Sequence, residues 1–180
     1  MAAIIGLPAE GVEAACRQAS ALGVVSPANF NGGEQIVISG AARAVEAACA
    51  AAKAAGARRA LPLPVSAPFH CDLMRPAAER LAPELHAVPQ GSFRFPVVAN
   101  VTARPYAEGE PIADLLVRQV TAPVRWEESV RGMKAGGAAS FLEVGPGKVL
   151  SGLVRRIEKD APVAAFCAPA ELESVRAFLG

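Results

Sequence analysis

The spacing of apolar residues changes period several times along the chain. Residues 2–7 form a short continuous apolar run, the pattern of a buried strand. In residues 8–20, Val12, Ala15, Cys16 and Ala19 recur at helical spacing, and Pro8 stands where a first helical turn tolerates proline. Residues 24–30 read as a second strand, interrupted by Pro27. Asn31-Gly32-Gly33 is a turn signal, and residues 35–39 are a third strand. Residues 41–55 predict an alanine-rich helix stopped by Gly56. Residues 58–66 alternate as a fourth strand, and Pro62 and Pro64 put it at a sheet edge or beside a bulge.

That order, β-α-β-β-α-β, is the split βαβ or ferredoxin-like arrangement. Beyond it the rhythm differs. Residues 70–87 predict a helix with Leu73, Ala77, Leu81 and Leu85 on one stripe; Pro76 and Pro83 predict two segments or a kink. Residues 96–102 read as a strand, 111–120 and 126–135 as helices, and 140–144 as a strand. Gly145-Pro146-Gly147 is a loop, residues 148–159 an amphipathic helix, 163–167 a strand and 171–179 a last helix. Alternating strands and helices predict a parallel layer. With about three strands against a usual ~5–6, part of that sheet is expected in sequence this chain does not include.

Composition narrows the classes. Of 180 residues, 52% are hydrophobic and 19% charged, so the chain can bury a core and is not a disordered one. Mean hydropathy is +0.31, but aromatics are only 5% and alanine supplies much of the rest. No run of about 18 uncharged apolar residues occurs, so no membrane-spanning helix is expected; residues 41–57 carry Arg43, Glu46 and Lys53. Lys and Arg number 18 against 17 Asp and Glu, a net charge of +1 that speaks against a general nucleic-acid field. The start lacks the basic region of a signal peptide. Cys16, Cys49, Cys71 and Cys167 form no C-x-x-C pair, so buried reduced thiols in a cytoplasmic protein are expected, with no metal site.

His70 stands at a strand-to-helix junction, where α/β proteins bind ligands, and is either a general base or a helix-start cap. His86, between Pro83 and Pro89, reads as a solvated or half-buried helix-end histidine. The G-x-S-x-G elbow that would supply a nucleophile is absent; Ser39 and Ser151 lack the flanking glycines. Cys71 is a nucleophile in principle, but adjacent residues rarely aim at one another. Gly145-Pro146-Gly147-Lys148 does not meet the phosphate-loop pattern and reads as a tight turn. Arg58-Arg59 is either a solvated pair or an anion contact.

Several motifs occur in one order: Ser26-Pro27-Ala28-Asn29-Phe30-Asn31, Gln35-Ile36-Val37-Ile38-Ser39-Gly40, Leu61-Pro62-Leu63-Pro64-Val65-Ser66, Phe69-His70 with Leu73-Met74, Leu116-Val117-Arg118-Gln119, Pro123-Val124-Arg125-Trp126 and Glu143-Val144-Gly145-Pro146-Gly147-Lys148-Val149-Leu150. Together they resemble the C-terminal part of bacterial malonyl-CoA:acyl-carrier-protein transacylases. The resemblance implies a ferredoxin-like small subdomain, residues 1–66, followed by the C-terminal part of an α/β-hydrolase-like large subdomain, residues 67–180. It implies malonyl transfer from CoA to a serine and then to the phosphopantetheine thiol of acyl carrier protein, in cytoplasmic fatty-acid synthesis, without a cofactor or metal. His70 matches the family's base, and Gln119 supplies the backbone carbonyl that orients it. Asn29, Asn31, Arg58 and Arg59 fall on the CoA side of the cleft, and Phe69 fits a malonyl preference.

The resemblance further implies that the serine elbow, a malonate-binding arginine and an oxyanion loop lie upstream of Met1. The chain is then a fragment, expected to be inactive alone. Two other classes stay open: a non-catalytic domain that binds carrier protein or CoA, and a thiol enzyme using Cys71.

Overall fold

The computed structural model describes residues 1–180 and divides into two compact units, Met1–Ser129 and Val130–Gly180. The first unit opens with β1 (Ala2–Ile5), α1 (Ala9–Ala19), β2 (Val25–Phe30), β3 (Gln35–Gly40), α2 (Ala42–Ala54) and β4 (Arg59–Pro62). The four strands form one antiparallel sheet in the order β2-β3-β1-β4.

Side-chain size decides how the layers meet. Val12, Ala15, Cys16 and Ala19 of α1, with Val45, Ala48 and Ala52 of α2, bury against Ile4, Ile36 and Ile38 of the sheet. The small residues let both helices lie close to the strands, and the isoleucines fill the space between. The opposite face of the sheet is buried as well, at Ala3, Val37 and Ser39. Gly40 is required by a close approach: a Cβ there would lie 2.0 Å from the Val24 carbonyl oxygen.

The prolines sit where strands can spare an N–H. Pro27 lies in the outer strand β2, beside a register shift between Pro27 and Asn29. The fourth strand stops at Pro62, well short of residue 66, because Pro62 and Pro64 cannot donate to a ladder. One more bond to the neighbouring strand's end, from Leu63 N–H to the Met1 carbonyl at 3.0 Å, follows it.

The rest of the first unit departs further from the sequence pattern. The helix expected from residue 70 begins at Arg75: α3 (Arg75–Ala87) follows a 3-10 turn, Asp72–Met74. His70 itself has φ 59°, which an α-helix excludes. Pro76 occupies the first turn of α3, where no N–H is needed, and the helix continues through Pro83. The strand expected over residues 96–102 shrinks to β5 (Val98–Ala99), paired antiparallel with β6 (Arg104–Pro105), which alternation did not reveal. Then come α4 (Ile112–Gln119) and α5 (Trp126–Ala135), which runs across the division between the units.

The second unit contains β7 (Phe141–Val144), α6 (Val149–Ile157), β8 (Val163–Phe166) and α7 (Leu172–Leu179). The strands pair in parallel, Phe141 with Val163 through Val144 with Phe166, so the parallel layer holds two strands. No helix is long and apolar enough to cross a membrane.

Ile4 is fully buried at the centre of the sheet. Ile4→Ala should destabilise the chain by about 2–5 kcal/mol. Leu22→Ala, at an exposed position, should stay within about 0.5 kcal/mol of the parent. Denaturant unfolding followed by circular dichroism checks both, and equal effects would contradict the assigned core.

Candidate active site

The site grows from the end of α4. An α-helix leaves its last four carbonyls without an internal partner. The residue four positions after Gln119, which would be its next partner, is Pro123, and proline has no N–H to give. The turn that follows closes instead on Arg118, whose carbonyl accepts from Thr121 at 3.2 Å and Ala122 at 3.0 Å. The Gln119 carbonyl therefore stays open to a side chain, and His70 Nδ1 lies 2.9 Å from it. A carbonyl oxygen only accepts. Nδ1 therefore carries a proton, and in the neutral ring Nε2 then keeps its lone pair, the arrangement of a ring ready to accept a proton.

The backbone that presents His70 is strained, since a left-handed φ at a non-glycine residue costs about 1–3 kcal/mol. Its neighbour anchors it. Cys71 is 1% exposed; its thiol donates to the Pro68 carbonyl at 3.2 Å, and its own carbonyl accepts from Met74 N–H at 2.9 Å. Cys71 thus holds the turn from inside while Phe69, beside His70, is exposed.

Asn100 belongs to the same arrangement, and the sequence pattern did not single it out. Its Nδ2 donates to Gln119 Oε1 at 3.1 Å, and its carbonyl accepts from Arg125 N–H at 3.0 Å. The signal was there in part: an asparagine between apolar Ala99 and buried Val101 needs polar partners.

The nearby backbone ties this site to the sheet. Asn29 of β2 bridges Val124 in parallel; Phe30 N–H donates to the Val124 carbonyl at 2.9 Å, and Val124 N–H to the Ala28 carbonyl at 2.8 Å. Four residues therefore separate Gln119 from a segment laid along β2. Asn31 follows β2, and its N–H donates to the Gln35 carbonyl at 3.0 Å.

Arg58 and Arg59 lie elsewhere. Arg59 opens β4 and pairs with Ile5, which pairs with Gln35. Arg59 and Asn31 are thus at one end of the sheet, Arg59 on one outer strand and Asn31 just past the other, about three interstrand spacings or ~14 Å apart. Arg58 lies over Gly6, where a Cβ would come 2.3 Å from its Nε, and pairs with Glu34 at 3.5 Å. His86 is a solvated histidine, its Nε2 2.7 Å from Asp114.

The residues weighed as nucleophiles, Ser39, Ser151 and Cys71, are all hidden. Burial pushes the Cys16 thiol up to about 11, with Cys49 and Glu13 adding to it. Cys167 is exposed, contrary to the expectation that all four thiols are buried; its thiol donates to the Gly147 carbonyl at 3.0 Å.

In the second unit the Gly145-Pro146-Gly147-Lys148 turn is organised by a carboxylate. Glu143, in β7, accepts from Leu150 N–H at 3.1 Å and Ser151 N–H at 2.7 Å, doing at the start of α6 what a capping side chain does. Its carboxyl is held below the ordinary value by the hydroxyl and then the amide of Ser151, helped by Leu150. Glu171 is lowered likewise, first by the Cys167 amide, then by Ala168 and Lys148.

An acyl transferase domain model matches residues 2–170. The chain belongs to the acyl transferase domain family. It is 54% identical over 157 residues to the malonyl CoA-acyl carrier protein transacylase of Escherichia coli K12, covering 87% of this chain and 51% of that protein. The Bacillus subtilis transacylase is 44% identical, covering 96% and 55%. An acyl carrier protein S-malonyltransferase from Vibrio cholerae superposes with a TM-score of 0.92 at 46% identity, covering 97% of this chain and 57% of that one. A type II PKS acyl-carrier protein in complex with its malonyl-transacylase is matched at 0.92 and 46%, covering 96% and 56%. The chain thus spans about half the length of the curated relatives it matches.

Two measurements follow. With a thiol reagent at neutral pH, Cys167 should react first, while Cys16 and Cys71 react only on unfolding; fast labelling of Cys71 would show a thiol presented to ligand. For Glu143 and Glu171, a folded pKa below the unfolded 4.5 means their stabilisation is complete above 4.5 and lost as pH falls through the lowered values. Melting temperatures should therefore fall below about pH 4.5, and Glu143→Gln should flatten that limb. An unchanged limb in the variant would remove Glu143 from the account.

Proposed function

We propose that this chain provides the base-bearing part of a malonyl transferase that moves malonyl from CoA to the phosphopantetheine thiol of acyl carrier protein in cytoplasmic fatty-acid synthesis. The observation that carries it is the 2.9 Å contact from His70 Nδ1 to the Gln119 carbonyl, which leaves Nε2 free to accept a proton. The likeness to malonyl transacylases supports the substrate class. In fold terms, residues 1–66 are a ferredoxin-like small subdomain, and residues 67–180 are the C-terminal portion of an α/β-hydrolase-like large one.

In this reading His70 Nε2 takes the hydroxyl proton of a serine as its oxygen bonds to the malonyl carbonyl carbon. The thioester C–S bond then breaks, and the CoA sulfur leaves with that proton. The carrier-protein thiol next attacks the malonyl-serine ester, giving its proton to His70, which returns it to the serine. Gln119 fixes the ring throughout. Asn29, Asn31, Arg58 and Arg59 contact CoA or carrier protein, and Phe69 favours malonyl.

One observation favours a second reading, a domain that binds carrier protein or CoA without transferring: the chain contains no G-x-S-x-G, and Ser39, Ser151 and Cys71 are buried.

Two experiments separate them. The 180-residue chain incubated with radiolabelled malonyl-CoA should acquire no label that survives denaturation; stable label would mean that it carries its own nucleophile. A chimera in which this chain replaces the matching segment of the Escherichia coli relative should transfer malonyl to acyl carrier protein. There, His70→Ala should lower kcat roughly 10²–10⁴-fold with little change in KM. Full activity in that variant would refute the base assignment, and a folded, inactive chimera would favour the binding reading.

A further inference from the structure

We infer that Asn100 is a positioning residue for His70, acting through Gln119. As a statement about catalysis this rests on the transfer reading above; as a statement about the ring's geometry it does not.

The hairpin of β5 and β6 carries Asn100 in its loop, and that loop is held from several directions. Thr102 and Ala103 N–H donate to the Ala99 carbonyl at 3.3 and 2.9 Å, and Val101 is buried. Arg125 grips it twice, by its N–H to the Asn100 carbonyl at 3.0 Å and its Nη1 to the Thr102 carbonyl at 3.3 Å. Glu128 fixes the Arg125 guanidinium from the other side, Nε to Oε1 at 2.8 Å. The Asn100 amide therefore starts from a rigid frame, and it spends a donor on Gln119 Oε1 at 3.1 Å.

Gln119 needs such a tether. It is the last residue of an eight-residue helix, where helices fray. Pro123 denies its carbonyl a continuing helical bond, so no backbone N–H of the next turn aims that oxygen. The bond from Asn100 fixes the Gln119 side chain and, through its Cα, the plane of the peptide whose oxygen faces His70. Released, the peptide turns toward water, and the neutral ring divides between its two protonation forms. Only the Nδ1–H form leaves Nε2 able to accept a proton.

The first test uses the chain as it stands. In the ¹⁵N-labelled protein above the histidine titration range, long-range proton–nitrogen correlation reads the ring form of His70, and His86→Asn assigns the second histidine. The parent should show the Nδ1–H form. Asn100→Leu, close in shape but without the donor, should lower the ratio of Nδ1–H to Nε2–H roughly 3- to 10-fold, the worth of about one net hydrogen bond. Gln119→Leu should do the same and carries the test if the Asn100 variant does not fold. Gln119→Glu, whose carboxylate still accepts from Asn100, should keep the parental ratio. An unchanged ratio in both Leu variants would overturn the proposal.

In the chimera, Asn100→Leu should lower kcat by about 10- to 100-fold, the scale of a small misplacement, with KM for malonyl-CoA within twofold. The double variant should be no worse than either single one, because the two residues act as a unit. Additive losses, or a kcat loss with the ring form unchanged, would also overturn it. A chimera inactive with native residues, alongside a shifted ring form in the chain, would sink the transfer reading and leave the positioning role standing.

Discussion

The contact between the His70 ring and the Gln119 carbonyl joins two stretches of chain 49 residues apart, and much of the first unit serves to hold its two ends still. On one side, buried Cys71 anchors a left-handed turn that aims the imidazole. On the other, a helix ends where Pro123 cannot close it, so an oxygen that a longer helix would consume is left for a side chain. A single hydrogen bond is worth only about 1 kcal/mol net, less than the cost of the strained His70 backbone. The arrangement therefore persists through its surroundings: the β2–Val124 ladder, the hairpin loop and the Arg125–Glu128 pair.

The second unit meets a similar problem at the other end of a helix. The start of α6 follows Gly145-Pro146-Gly147, which offers no capping side chain, so its N–H groups take the Glu143 carboxylate from the preceding strand. A charged acceptor suits the positive pole of a helix. This is why a turn that superficially resembled a phosphate loop is already occupied by the protein's own anion.

The elements of residues 1–66 were legible because each buries one face against small or branched partners. Period 2 and period 3.6 then show in the apolar positions, as at Ile36 and Ile38 or Val12, Ala15, Cys16 and Ala19. Where short pairings or special dihedrals take over, the pattern misleads. β6 has two residues and no alternation to read; the stripe of Leu73 and Ala77 suggested a helix through His70 that its positive φ forbids. The same holds for the site. A lone histidine at a strand-to-helix junction was a visible candidate, and the ordered motifs named Gln119 beside it. Asn100 was not visible, since its value lies in a bond to a residue 19 positions away.

Local chemistry along the chain was thus enough for what depends on neighbours in sequence: which segments of residues 1–66 bury a face, and that Pro62 and Pro64 put the fourth strand at a sheet edge. Folding alone supplied what depends on distance in space. It put Arg59 on the strand at the far edge from Asn29, gave Arg58 to Glu34, and buried Cys71 as an anchor. It also brought Asn100, Gln119 and His70 into one chain of hydrogen bonds. Hydrogen bonds act over about 3 Å, and residue spacing carries no measure of which distant groups come that close.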